Sequence, residues 1–256
     1  MILKSLLITA LVSSSAGVAF AQTAAVQKKI LAQGVPAEAF NRLKKFINNN
    51  QGRTYTIDTY TCDGRDENSV RPCEESKRNR SSKRVTVVNP QYVAIVDFTA
   101  PSTKRRFYLI NLKTGTVQKF YTAHGIGSGK SNYAVAFSNT KDSRQTSLGI
   151  YVAGEVYTGH YGDTLRMYGL QRSNDEAYNR DIVLHGAWYV GEDFINSIDP
   201  KTGNARGRLG VSWGCPAVSM SVAQKIIPLL KGGSLIYHYH ADLDDASLSG
   251  AEVSLR

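Results

Sequence analysis

From residue 84 onward the chain is a succession of short β-type runs punctuated by tight turns, and this constrains the fold more than any other feature. Runs at 92–98, 106–112 and 116–123 are rich in valine, isoleucine, tyrosine and phenylalanine. They are separated by Ala100-Pro101-Ser102 and Lys113-Thr114-Gly115, which read as turns between neighbouring strands. Further strands are predicted at 147–154, 182–184 and 234–240. Helices are few. One is expected over 36–48, with Phe40, Leu43 and Ile47 on one face. A second is expected over 222–231, capped by Ser221 and Gln224 and closed by Gly232-Gly233. Such an order argues for a mostly β sandwich or barrel with a mixed sheet and a few helices. Residues 22–35 read as frayed, 62–84 as a polar, charged excursion, and 241–256 as a loose tail.

The first 21 residues carry Lys4, an apolar stretch and the small-x-small triplet Ala19-Phe20-Ala21. That order predicts a secretory signal peptide cleaved after Ala21, too short and serine-rich for a spanning helix and leaving no membrane anchor. The mature chain would be about 235 residues long, enough for one large domain with a small appendage. The expected organisation is leader 1–21, N-terminal helical segment and closed polar loop 22–84, main β-rich domain 85–240 and tail 241–256. The destination is the periplasm or cell envelope. The net charge of +10 would suit nucleic acid, but an exported protein rarely meets it, so anionic envelope polymers are the expected partners of that charge.

Three cysteines divide into a pair and a remainder. Cys62 and Cys73 flank a short polar loop and are expected to form a disulfide in an oxidising compartment. Cys215 is left odd, in Ser212-Trp213-Gly214-Cys215-Pro216. An odd cysteine in an exported chain is a bridge to another chain or a reactive thiol. The glycine and proline favour a thiol presented on a turn, with the amides of Gly214 and Cys215 as candidate oxyanion donors. A cysteine nucleophile needs a base. His185, at the end of the apolar run 182–184 and followed by Gly186, is the candidate, and rate loss is expected as it gains a proton in acid. His124, in a glycine-rich stretch that lacks the lysine–threonine ending of a phosphate loop, reads as a structural turn or the edge of a substrate groove. His238 and His240 share a strand face, but no third ligand sits at a telling spacing, so neither metal nor cofactor is expected.

Taken together, His185-Gly186 and Ser212-Trp213-Gly214-Cys215 resemble the L,D-transpeptidases of peptidoglycan with a YkuD-type catalytic domain, in particular the murein L,D-transpeptidase catalytic domain branch. Further matching stretches are Val96-Asp97-Phe98, Ala123-His124-Gly125, Phe137-Ser138-Asn139-Thr140 and Ser147-Leu148-Gly149-Ile150-Tyr151, so that the likeness covers about residues 90–240. It implies that Cys215 attacks a carbonyl in a peptidoglycan stem peptide. His185 would serve as base and then acid, the Gly186 carbonyl would orient its ring, and carbapenems would acylate the thiol. The acyl group would pass to an amine, forming a crosslink. The alternatives are passage to water, as in an L,D-carboxypeptidase, and a non-catalytic peptidoglycan-binding module. Two features depart from the commoner family pattern. Trp213 stands where a second histidine is usual, and an arginine after the cysteine is missing. Arg180 and Arg208 are the candidates to replace it. An insert at 193–208 lengthens the spacing between His185 and Cys215.

Overall fold

A computed structural model describes residues 23–88, 91–250 and 252–255; the leader expected over 1–21 lies outside them. In chain order the elements are α1 (Ala24–Ala32), α2 (Ala37–Asn50), β1 (Thr54–Cys62), β2 (Arg78–Thr86), β3 (Tyr92–Asp97), β4 (Phe107–Asn111), β5 (Val117–Phe120), β6 (Ala136–Phe137), β7 (Gly149–Gly159), β8 (Gly162–Gly169), β9 (Val183–Gly186), α3 (Glu192–Asn196), β10 (Ala217–Val218), α4 (Met220–Leu230), β11 (Leu235–Tyr239), α5 (Asp244–Ser247) and β12 (Val253–Ser254).

Eight strands form one sheet in the order β10-β9-β8-β7-β11-β3-β4-β5. It is mixed: β11 runs parallel to β3 and β10 parallel to β9, and the other pairs are antiparallel. Just beyond β5, Ala123 N donates to Ala217 O of β10 at 2.9 Å. This bridge ties the two edges of the sheet together, so it nearly closes into a barrel and its rims are not left as open edges. The interior strand β3 is covered on both faces, with Val93 through Val96 all buried, which accounts for its unbroken apolar run. The other helical packing follows simple periodicity. In α4, Ala223, Ile226, Ile227 and Leu230 lie buried against the sheet.

The N-terminal segment is part of the same body. Ile30, Phe40, Leu43 and Ile57 share one core with Val93, Ile95, Leu235 and Tyr237. Residues expected to fray instead form α1, capped by Thr23, whose hydroxyl accepts from Val26 N. Gln33 and Lys29 at its end donate to Gly115 O and Thr114 O in the β4–β5 turn. Docking, not propensity, makes that helix. The polar excursion contains a strand as well: β2 pairs with the whole of β1, with Arg80 and Arg84 facing water and Arg78 turned inward onto Asp181. Hydrophobic periodicity could not reveal it, since the pairing is carried by backbone groups. The α4 cap is Ser219, two residues before the expected Ser221, because the helix starts as soon as β10 ends. The C-terminal segment is docked rather than loose: β12 pairs with β6, and buried Asp244 accepts from Tyr237 (2.6 Å) and Arg42 (3.0 Å).

Candidate active site

The parallel pairing of β9 with β10 sets the site. Ala217 stands opposite His185 and Val218 opposite Gly186, so the turn carrying Cys215 enters the sheet beside the end of β9. Ser212 organises that turn. Its Oγ donates to Cys215 O at 2.6 Å and accepts from Gly214 N at 3.2 Å. The Gly214 amide is therefore engaged within the turn, which leaves Cys215 N–H as the donor better placed for an oxyanion. Gly214 has φ +120°, and a Cβ there would lie 2.8 Å from Gln145 O and 3.1 Å from Ile182 Cδ1. Only glycine fits this dihedral in this space.

Two segments far away in sequence hold the turn from behind. His124 O accepts from Ser212 N at 3.0 Å. Buried Thr146 links them: its hydroxyl donates to Gly214 O (3.1 Å) and accepts from Gly125 N (3.0 Å). A Cβ on Gly125 would come within 2.7 Å of Gly214 Cα. The glycine-rich stretch after His124 thus serves close backbone approach. The His124 ring points away into the core. Arg106 donates to its Nδ1 at 2.8 Å, so Nε2–H donates to Gly129 O at 3.0 Å. Burial, with the Arg106 charge adding to it, pushes His124 down to about 3.

Cys215 is half-buried and is the free thiol of the described residues; Cys62 and Cys73 are joined in a disulfide. The thiol donates to Asp181 O, with sulfur and oxygen 3.7 Å apart. Burial pushes it up to about 11, opposed by a hydrogen bond from Val183 and by the charges of Arg180 and Arg166. His185 is pushed below its ordinary value by burial, opposed by its bond to Gly186. The pair therefore rests as neutral thiol and neutral imidazole. His185 Nδ1 lies 2.8 Å from Gly186 O. A carbonyl only accepts, so Nδ1 carries the proton and Nε2 presents its lone pair. Tyr161 stacks near the ring, with centroids 6.4 Å apart.

Trp213 is 73 % exposed, with the Arg144 guanidinium 4.6 Å above its ring. Together with Arg180, Arg78, Lys141, Glu75, Asp142 and Asp181 these two line a cavity of about 300 Å³ beside the Cys215 turn. Arg180 reaches it: its guanidinium donates to Ser138 O at 2.8 Å and Gln145 O at 2.6 Å. Arg208 does not line that cavity. It donates to Leu209 O and faces the His124 side. The insert folds as α3 followed by a turn closed by Gly203 N donating to Asp199 O (2.8 Å). His238 is buried, with Nδ1 3.0 Å from Ser147 O, and stacks among Phe98 and Tyr151. Thr146, Gln145, Arg144 and Asp181 carry no motif and escape a reading by spacing, although each touches the Cys215 turn or the cavity beside it.

A family model described as L,D-transpeptidase catalytic domain matches residues 67–239. The match begins inside the disulfide-closed loop, ahead of the boundary expected at residue 85. Among solved structures, an L,D-transpeptidase from Mycobacterium smegmatis is similar at 14 % identity, with a TM-score of 0.35, covering 62 % of this chain and 63 % of that one. One from Mycobacterium tuberculosis H37Rv is similar at 14 % identity, TM-score 0.33, covering 80 % and 86 %. Bd1075 of Bdellovibrio bacteriovorus is similar at 18 % identity, TM-score 0.33, covering 64 % and 50 %. The chain therefore spans under two thirds of the length of the first of these. No curated protein matches it significantly. Since the family model covers well over half of the chain, the protein belongs to the L,D-transpeptidase catalytic domain family.

Proposed function

We propose that the protein is a peptidoglycan L,D-transpeptidase that forms stem-peptide crosslinks through a thioester on Cys215. The observation that carries the reading is the free thiol on a glycine-shaped turn, set beside β9 and a histidine whose tautomer leaves Nε2 free. In the reaction, the thiol leaves Asp181 O and passes its proton to His185 Nε2 as sulfur attacks the donor carbonyl. Cys215 N–H receives the developing oxyanion. The tetrahedral intermediate collapses, the C–N bond breaks, and His185 returns the proton to the leaving amine. An acceptor amine then attacks the thioester, giving its proton to His185; the C–S bond breaks, and His185 passes that proton to the departing sulfur, restoring the thiol. The neutral resting pair fits this order, because base and proton donor are both in the required form near neutral pH.

In the cavity beside Trp213, Lys141 and Arg78 are paired with Glu75 and Asp181, while Arg144 and Arg180 face it together with Asp142; these two arginines support a peptide ligand bearing a carboxylate. The leader-like N-terminus and the Cys62–Cys73 disulfide support action in an oxidising envelope compartment, where anionic polymers would meet the basic surface. The test is incubation of the mature protein with purified muropeptide monomers, read by mass spectrometry beside Cys215→Ala. Dimers formed by the wild type alone are expected. Shortened monomers without dimers would indicate the L,D-carboxypeptidase, and no change with folded protein would indicate a binding module.

A further inference from the structure

The disulfide-closed loop between Cys62 and Cys73 reaches the nucleophile through two arginines and one aspartate. Asp181 is the meeting point. It is a non-glycine residue with φ +56°, in the left-handed region, a conformation that needs support from its surroundings. The support is its carboxylate. Oδ1 accepts from Arg166 Nη1 at 3.0 Å and from the Tyr60 hydroxyl, and Oδ2 accepts from Arg78 Nη2 at 2.5 Å.

Both arginines are anchored on the loop. Fully buried Arg166 donates from Nε to Val70 O at 2.6 Å. Arg78 donates to Cys73 O from Nε (3.0 Å) and Nη2 (2.8 Å), and to Asn179 O from Nη1 (3.0 Å). The other end of Asp181 faces the chemistry. Its carbonyl accepts from the Cys215 thiol, Ile182 packs against Gly214, and Arg180 lies next to the same glycine. Residues 180–183 are thus the floor under the nucleophile, and the loop is clamped to that floor at two points.

We infer that the Cys62–Cys73 loop is a brace for the nucleophile, with Arg78 and Arg166 as positioning residues that act through Asp181. The inference deepens the cysteine mechanism proposed above and rests on it. A decoration would contact the domain through its own surface. Here both carboxylate oxygens of a strained residue are held by groups anchored on the loop's backbone carbonyls.

The experiment uses the full chain. Arg78→Met removes the bridge while keeping an apolar stem. Cys62→Ser/Cys73→Ser opens the loop without reductant. Arg78→Lys keeps the charge and one bond. Two readouts are taken: crosslinking of muropeptides, and the pH profile of Cys215 alkylation by iodoacetamide. In the first two variants kcat is expected to fall about tenfold or more with KM within about twofold, and Arg78→Lys to fall in between. The alkylation midpoint is expected to move down, because burial is the largest cause of the raised thiol and a loosened floor admits water. If Arg78→Met does not melt cooperatively, Asp181→Asn, which tolerates the left-handed backbone, takes its place and is read by kcat and KM alone, because loss of its charge lowers the thiol by itself. A kcat within about twofold of wild type and an unmoved midpoint would overturn the inference. So would a rise in KM alone, which would make the loop a substrate contact. If the wild type forms no crosslinks, the function proposed above fails, while the alkylation profile still decides the brace.

Discussion

Replacing Gly214 by alanine separates a rigid Cys215 turn from a compliant one. At φ +120° an alanine is in a region that L residues rarely adopt, and its Cβ would meet Gln145 O at 2.8 Å and Ile182 Cδ1 at 3.1 Å. The backbone term is about 1–2 kcal/mol, and forcing a carbon against a packed carbonyl adds about 1–2 kcal/mol. The sum is about 3 kcal/mol. For a domain of this size that corresponds to a fall in Tm of about 6–12 °C. Gly203 is the internal control: it too has positive φ, +71°, but a Cβ there meets nothing within 4 Å. Gly203→Ala should cost the backbone term alone, about 1 kcal/mol, or about 2–4 °C. Thermal melts by circular dichroism read the stability. The rate of Cys215 acylation by a carbapenem, the reaction the proposed function implies, reads the geometry when followed by mass. If the turn relaxes to save stability, it must move Cys215, so acylation slows instead. A Gly214→Ala variant that matches wild type in both Tm and acylation rate would refute the account of the turn.

Removing the imidazole with His185→Ala should lower the crosslinking rate by about 10²–10⁴-fold. In the wild type, because burial holds His185 below its ordinary value, the acid limb of kcat/KM should lie below pH 6.5; a limb above that value would contradict the assignment. Stability should fall on acidification. His124 and His238, held down to about 3 and about 4 in the fold, take up protons near 6.5 only when unfolded. Between pH 6.5 and 4 the unfolded state binds more protons, so each costs up to about 1.4 kcal/mol per pH unit. Melts at pH 7.5, 6 and 5 would show this, and a Tm that rises on acidification would refute it. A thiol raised to about 11 by burial is mostly protonated at neutral pH. Inactivation by peroxide should therefore be slow at pH 7 and accelerate steeply toward pH 9; equal rates at the two pH values would count against a buried neutral thiol.

What the sequence determined by itself is what local chemistry and short-range pattern can carry. Short runs of β-forming residues bounded by turn residues placed β3, β4, β5, β7 and β11, and the apolar face of α2 placed that helix, since its period follows from backbone geometry. The turn residues Ser212, Gly214 and Cys215 and the pair His185-Gly186 were legible as a constellation of unusual residue types. Other features needed the folded chain. Strand β2 is polar along most of its length and exists because β1 pairs with it, and α1 is fixed by its dock on the β4–β5 turn. In the site, Thr146 matters because it bridges Gly125 and Gly214. Asp181 matters because arginines from two other strands converge on it. Arg180 and Arg208 looked equivalent along the chain, yet only one turns toward the nucleophile cavity. The physical reason is the same in each case. A hydrogen bond between residues tens of positions apart leaves no periodic trace in either segment, and its partners become identifiable only when the sheet brings them together.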